Sequence, residues 1–373
     1  MTRPIERRAL LKGAGIATAT AAATLGAPVL AAPALAQTAP RVRWRLTTSY
    51  SKALPTLFGA SELLAKYVKE ATDGAFQIDV FAPGEIVPGL QAFDAVQNGT
   101  VELAQTALYY YIGKDPSFAP FTTMPFGLNA RMQTAWMYHG GGLELQDKFL
   151  AKYGVVGFVG GNTGAQMGGW FRKEIKSLDD IRGLKMRLPG LAGQVMAKLG
   201  LVPQNIASGD IYPALEKGTI DAAEFVGPYD DEKLGFVRVA PYYYYPGWWE
   251  GGPTIHFIAN DKAWQKLPAS YQAVFKAASA YANADMLAKY DAGNPAALRR
   301  LVAQGAQLRA FPIEVMDAAY KINTELMAEI SAKNEAFKEI YGSMLAFRNE
   351  GYLWWQVGEY PYDGYMIRAR QRG

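Results

Sequence analysis

One twenty-residue unit occurs twice in this chain, and it narrows the available folds more than any other feature. Residues 91–110 align without gaps on residues 210–229. Ala95, Gly99, Thr100, Ala104 and Tyr110 meet Ala214, Gly218, Thr219, Ala223 and Tyr229. Phe93, Val96, Val101 and Glu102 meet Tyr212, Leu215, Ile220 and Asp221. Each copy reads as a helix, a glycine stop and a strand with polar or aromatic residues at its far end. Helix–Gly–strand units also arise by convergence, and five identities do not separate the two origins. One copy in each half of the chain favours two related lobes.

The flanking pattern agrees. Val42–Thr48 alternates as a strand, and Leu57, Ala60, Leu63, Leu64 and Val68 then share one helix face. Phe76–Phe81 is a strand, 89–98 a helix and 101–104 a strand. The order restarts near Gly154 with strands at 155–159 and 184–188, helices at 190–199 and Ile211–Glu216, and a strand at 220–224. Strands alternating with helices imply an α/β fold. Beyond residue 250 a strand at 254–259 leads into a mostly helical 263–305, with Pro268 and Pro295 near its ends. A short strand at 307–311 and further helix from Ile313 follow. The expected division is lobe 1 at 41–157 completed by 249–265, lobe 2 at 158–248, and a helical segment at 266–373 bracing both.

Composition removes several chemistries. The chain has no cysteine, so disulfides, thiolate catalysis and cysteine-bound metals are excluded. His139 and His256 are its only histidines, too few for most zinc sites and a weak basis for a His-dependent nucleophile. No G-x-S-x-G or H-E-x-x-H motif occurs, so an enzyme is not expected. A net charge of +4 without a basic block gives no footprint for nucleic acid. At the N-terminus, Arg7-Arg8 precedes an Ala-rich stretch ending in Ala34-Leu35-Ala36. This reads as a twin-arginine signal over residues 1–36, with the mature protein in the periplasm.

Two stretches carry a family resemblance over nearly the whole mature chain: SLDDIRGLKMR at 177–187 and DIYPALEKGTIDA at 210–222. With them the chain resembles the extracytoplasmic solute receptors (DctP type) of TRAP transporters. GGWFRKEI at 168–175, EFVGPY at 224–229 and YYYPGW at 243–248 are similar to the receptors for 2-oxo acids and lactate. One departure is Phe225, where those 2-oxo acid receptors carry Trp. The resemblance implies a two-lobed periplasmic binding protein fold with a central cleft, hinge strands and a long bracing helix. It also implies capture of a small monocarboxylate such as pyruvate or lactate, together with Na⁺ or Ca²⁺, and delivery to the TRAP membrane permease.

Arg187 is the first candidate for the substrate carboxylate. It ends the expected strand 184–188, the position at which open α/β sheets bind ligands, and its planar fork matches a carboxylate with two parallel hydrogen bonds. Gln166, in the glycine-rich loop after strand 155–159, Glu224 and Glu250 offer only oxygen, which suits Na⁺ or Ca²⁺. By resemblance, Gln166 and Glu224 hold the cation with the Phe225 carbonyl, and Glu250 ligates it or bonds the substrate. The Phe225 side chain faces the substrate. Tyr110, the echo of Tyr229, is preferred over Tyr109 and Tyr111 to close the site. The tyrosine run 242–245 reads as core or hinge packing, and the aromatic C-terminus as a possible homodimer contact. The alternatives are a metal-free receptor for another organic acid, a receptor for an uncharged solute that would not need Arg187, and a periplasmic enzyme that would show turnover.

Overall fold

The computed structural model describes residues 40–371. The twin-arginine and Ala-x-Ala motifs lie outside the described residues. Eleven strands form two sheets. In chain order they are β1 (Val42–Thr48), β2 (Phe76–Phe81), β3 (Leu103–Thr106), β4 (Val155–Asn162), β5 (Gly169–Phe171), β6 (Lys185–Arg187), β7 (Val202–Gln204), β8 (Ala222–Ala223), β9 (Tyr242–Tyr245), β10 (Thr254–Asn260) and β11 (Gln307–Ala310).

The first sheet has the order β2-β1-β3-β10-β4 and the second β11-β9-β5-β8-β6-β7. In the first, β1 runs parallel to β2 and β3, whereas β10 is antiparallel to β3 and β4. β1 shows why this register holds. Trp44 and Leu46 point into the core, while Arg43 and Arg45 face outward and pair with Asp79 and Glu102. Slipping by one residue would exchange buried Trp for exposed Arg.

The chain passes between the sheets at 163–168, 246–253 and 261–306. The third passage contains the 35-residue helix Ala269–Ala303. Tyr271, Phe275, Ala278, Ala282, Met286 and Tyr290 form its buried stripe, spaced by three or four residues. This helix packs on β4 and the helix Leu57–Ala71, then further along on the helix Pro228–Leu234. It therefore touches elements attached to both sheets, as a brace would. The helix Ile313–Lys333 packs on Gly190–Lys198, and the helix Glu335–Trp355 on Ala130–His139 and Gly142–Leu150.

Several boundaries differ from the sequence expectation. β4 runs on to Asn162, so the first passage starts after 162 rather than after 157. Gly160 and Gly161 look like loop residues but are extended in the pairing of β4 with β10, and only glycine fits there: an added Cβ would stand 2.2 and 2.4 Å from Phe257 and Met286. The short strand read at 307–311 is β11, and it joins the second sheet beside β9. β3 starts two residues late, and the strand read at 220–224 keeps only Ala222–Ala223. Pro295 lies inside the long helix rather than at its end. The tyrosine run is β9, with Tyr243 and Tyr244 fully buried.

Candidate functional site

Four buried oxygens without a hydrogen-bond partner mark one place in the fold: Gln166 Oε1, Glu224 Oε1 and both carboxyl oxygens of Glu250. They arrive by different routes. Gln166 lies on the first passage and Glu250 on the second, and the two passages are stitched together. Gln166 N–H donates to the Glu250 carbonyl at 3.3 Å, and Gly247 N–H to the Gln166 carbonyl at 3.2 Å. A Cβ on Gly247 would stand 2.4 Å from that carbonyl oxygen, so only glycine permits the approach. Arg187 ends β6 opposite Ala223 of β8, which places the next residue, Glu224, beside it. Glu224 N–H then donates to the Arg187 carbonyl at 3.0 Å.

The structure joins two residues that the sequence had assigned to separate partners. Arg187 Nη1 donates to Glu224 Oε2 and to the Glu224 carbonyl, both at 2.6 Å, and its side chain is 1% exposed. Arg187 Nε donates to the Ile206 carbonyl at 3.3 Å. The expected free fork is thus partly occupied by the chain itself, and Nη2 is the arm left without a partner among the described residues. The Phe225 ring lies 5.5 Å from the guanidinium carbon, a cation–π contact.

Charge is unbalanced in this spot. Burial, then the neighbouring Glu250, raises the Glu224 pKa well above the carboxylate range against the pull of Arg187. Burial pushes Glu250 up to about 8, opposed by Arg187 and by the Tyr109 hydroxyl. One guanidinium does not keep two buried carboxylates ionised. The donor set therefore fits a hard cation, which prefers carboxylate and amide oxygen. It is not a cluster of three His, Cys, Asp or Glu; no such group occurs among the described residues.

Thr163 orients the amide. Gln166 Nε2 donates to Thr163 Oγ1 at 2.9 Å, which leaves Oε1 as the atom facing inward. Across from these groups stand residues of the first sheet. Tyr110, on the turn Leu108–Tyr111 directly after β3, is half-buried, and its hydroxyl is in the field of Arg187, Glu250 and Glu224. Tyr50 faces Tyr110 but makes no well-formed hydrogen bond, so its buried hydroxyl is another orphan. With Gln166, Thr163 and Phe225, these tyrosines line a small cavity completed by Leu57, Ala107, Val226, Pro253 and Ile255. Larger surface clefts, such as the one lined by Glu62, Lys66 and Lys69, contain no comparable set of orphaned oxygens.

Arg187, Gln166, Glu224, Phe225, Glu250 and Tyr110 are therefore gathered at one place. Tyr50, Tyr109, Thr163 and the apolar wall were not singled out from sequence. Tyr50 directly follows β1 and Ser49, a strand-end position of the kind that signalled Arg187. The remaining wall residues carry no local signal.

Comparison with known proteins decides the family. The profile of bacterial extracellular solute-binding protein, family 7, matches residues 48–334. The chain belongs to this family. A relative, the monocarboxylate 2-oxoacid-binding periplasmic protein of Nostoc sp., is 51% identical over 366 residues, 98% of this chain and all of its own. A TRAP transporter solute-binding protein from Bordetella bronchiseptica is 52% identical with a TM-score of 0.88, covering 89% of this chain and 99% of its own. That protein was crystallised as a mixed-occupancy dimer with calcium and picolinate in one active site and an apo second site. A third, from Pseudoalteromonas atlantica, is 41% identical with a TM-score of 0.84, covers 86% of this chain and 98% of its own, and holds sodium and pyruvate. The α/β two-sheet architecture is the fold of these solute-binding proteins. No helix among the described residues is long and apolar enough to cross a membrane.

Proposed function

We propose that this family 7 protein captures a short 2-oxo monocarboxylate such as pyruvate together with Na⁺ or Ca²⁺, in the periplasm, and presents it to a TRAP membrane permease. One observation carries the reading: Gln166 Oε1, Glu224 Oε1 and the Glu250 carboxylate are orphaned, buried and gathered beside a buried arginine. The ligands named for the Nostoc, Bordetella and Pseudoalteromonas proteins support it. Gln166, Glu224 and Glu250 would hold the cation, with the Phe225 carbonyl. When bound, the cation would supply positive charge that offsets the carboxylates and would be chelated by the 2-oxo acid oxygens.

The chain's own groups account for the rest. Arg187 Nη2 meets the substrate carboxylate while Nη1 stays tied to Glu224. Tyr50 and Tyr110 come from the first sheet and Arg187 and Glu224 from the second, so a ligand touching both sets favours the closed arrangement. The titratable groups are carboxylates, phenols and a guanidinium. We also infer a homodimer through the C-terminal helix Glu359–Arg370. That helix buries no residue of its own and exposes Tyr360, Tyr362, Tyr365, Met366 and Ile367. Twelve residues make only a marginal helix without packing, and the Bordetella relative is a dimer.

Calorimetric titration with pyruvate tests the function. Binding is expected in sodium or calcium buffer, with a loss of at least 100-fold in chelated choline buffer and in Arg187→Met. Equal affinity in cation-free buffer, or no binding of any 2-oxo acid by the native protein, would overturn the reading.

A further inference from the structure

We infer that Leu57 and Ala107 set the permitted length of the substrate's aliphatic chain, an inference that rests on the 2-oxo acid function proposed above. The cavity lined by Gln166 and Phe225 is also lined by Leu57, Ala107, Pro253 and Ile255. None of these carries charge. The carboxylate and 2-oxo oxygens belong at the Arg187, Gln166 and Glu224 end, so any remaining substrate carbon lies against the apolar wall. Its length is then limited by how far that wall yields.

The wall is held from behind by Gln105, which the binding groups do not use. Gln105 is fully buried in β3. Its Oε1 accepts from Thr48 Oγ1 at 2.7 Å and from Ser61 Oγ at 2.9 Å. Its Nε2 donates to the Leu57 carbonyl at 2.7 Å. One amide therefore ties the first turn of the helix Leu57–Ala71 to β1 and β3. Ala107 lies two residues beyond Gln105, just past the end of β3, so the stretch that carries the anchoring amide also carries the second wall residue. Leu57 and Ala107 are each 1% exposed. A wall this buried and cross-linked does not retreat by a methylene, because close-packed interiors do not absorb added volume without strain. The expected result is a sharp length threshold rather than a gradual decline.

Two opposed substitutions test the assignment. Affinities for pyruvate, 2-oxobutyrate, 2-oxovalerate and 2-oxohexanoate are measured by calorimetry in sodium and calcium buffers. Leu57→Ala opens the wall, and each newly buried methylene is worth about fourfold in affinity. The 2-oxohexanoate-to-pyruvate affinity ratio should rise at least tenfold. Ala107→Val narrows it at an extended backbone position that tolerates a β-branched residue. The 2-oxobutyrate-to-pyruvate ratio should fall at least tenfold. Because the variants move the ratios in opposite directions, misfolding of either one does not mimic the result. Ratios within twofold of the native protein in both variants overturn the assignment and leave the 2-oxo acid function standing. Failure of the native protein to bind any of the four acids overturns both.

Discussion

Replacing Thr163 by valine should weaken substrate binding without touching a single proposed ligand atom. Thr163 Oγ1 is the only partner of the Gln166 amide nitrogen among the described residues, at 2.9 Å. Both side chains are buried, Thr163 at 2% exposed and Gln166 at 7%. Valine keeps the shape and removes the acceptor. The amide N–H is then buried without a partner, or the amide turns and presents hydrogens to the cation. Leaving a buried donor unpaired costs about 1–3 kcal/mol. An open cleft would solvate that N–H and closure on the ligand would bury it, so the cost falls on binding: at about 1.4 kcal/mol per tenfold, roughly 5- to 150-fold in affinity. The assay is calorimetric titration with pyruvate in sodium and in calcium buffer, with Thr163→Ser as the conservative control, which should bind like the native protein. The Gln166→Ala background supplies the second test: there, Thr163→Val should add nothing, since the amide it orients is gone. Native-like affinity of Thr163→Val, or an equal loss in the Gln166→Ala background, would refute the orienting role.

Other groups give independent outcomes. His256 is fully buried with neither ring nitrogen partnered, and burial lowers its pKa from 6.5 to about 3. The unfolded chain takes up a proton below about pH 6.5 that the native protein refuses, so this residue's share of stability is present above that pH and is lost as pH falls towards 3. His256→Leu should remove up to about 1.4 kcal/mol per pH unit of acid sensitivity, and an unchanged Tm-versus-pH profile would count against the assignment. Tyr290→Phe deletes the 2.5 Å hydrogen bond that ties the long helix to Asp230, whose pKa burial raises to about 6. It should cost about 1–3 kcal/mol in urea unfolding, and a change below about 0.5 kcal/mol would show that the bond contributes little. Deleting residues 359–373 should halve the mass measured by light scattering while leaving pyruvate affinity in place; a native protein that is already monomeric would dispose of the C-terminal dimer.

Much of this site was legible because its residues stand at ends of locally patterned elements. The strand before Arg187, the helix–Gly–strand unit before Glu224 and the glycine loop before Gln166 each have a period or a stop signal within a few residues. Tyr110 was found through its echo in the second copy. Glu250 had a weaker basis, its place in the crossover back to the first lobe. By contrast, the glycines of β4 concealed a strand because the reason they must be glycine, the close approach of Phe257 and Met286, lies about 100 and 125 residues further along.

Sequence alone determined the α/β alternation, the oxygen-only character of the candidate ligands and the candidacy of Arg187 as a carboxylate partner, since side-chain chemistry and local periodicity are intrinsic to the chain. Only the tertiary structure decided that Arg187 spends one arm on Glu224, that Thr163 turns the Gln166 amide, and that Leu57 and Tyr50 form the opposite wall. Those relations join segments far apart along the chain; Tyr50 and Phe225, for example, are 175 residues apart. They exist because residues that follow strands of two different sheets line one cavity, and a contact made by tertiary packing leaves no spacing rule along the chain.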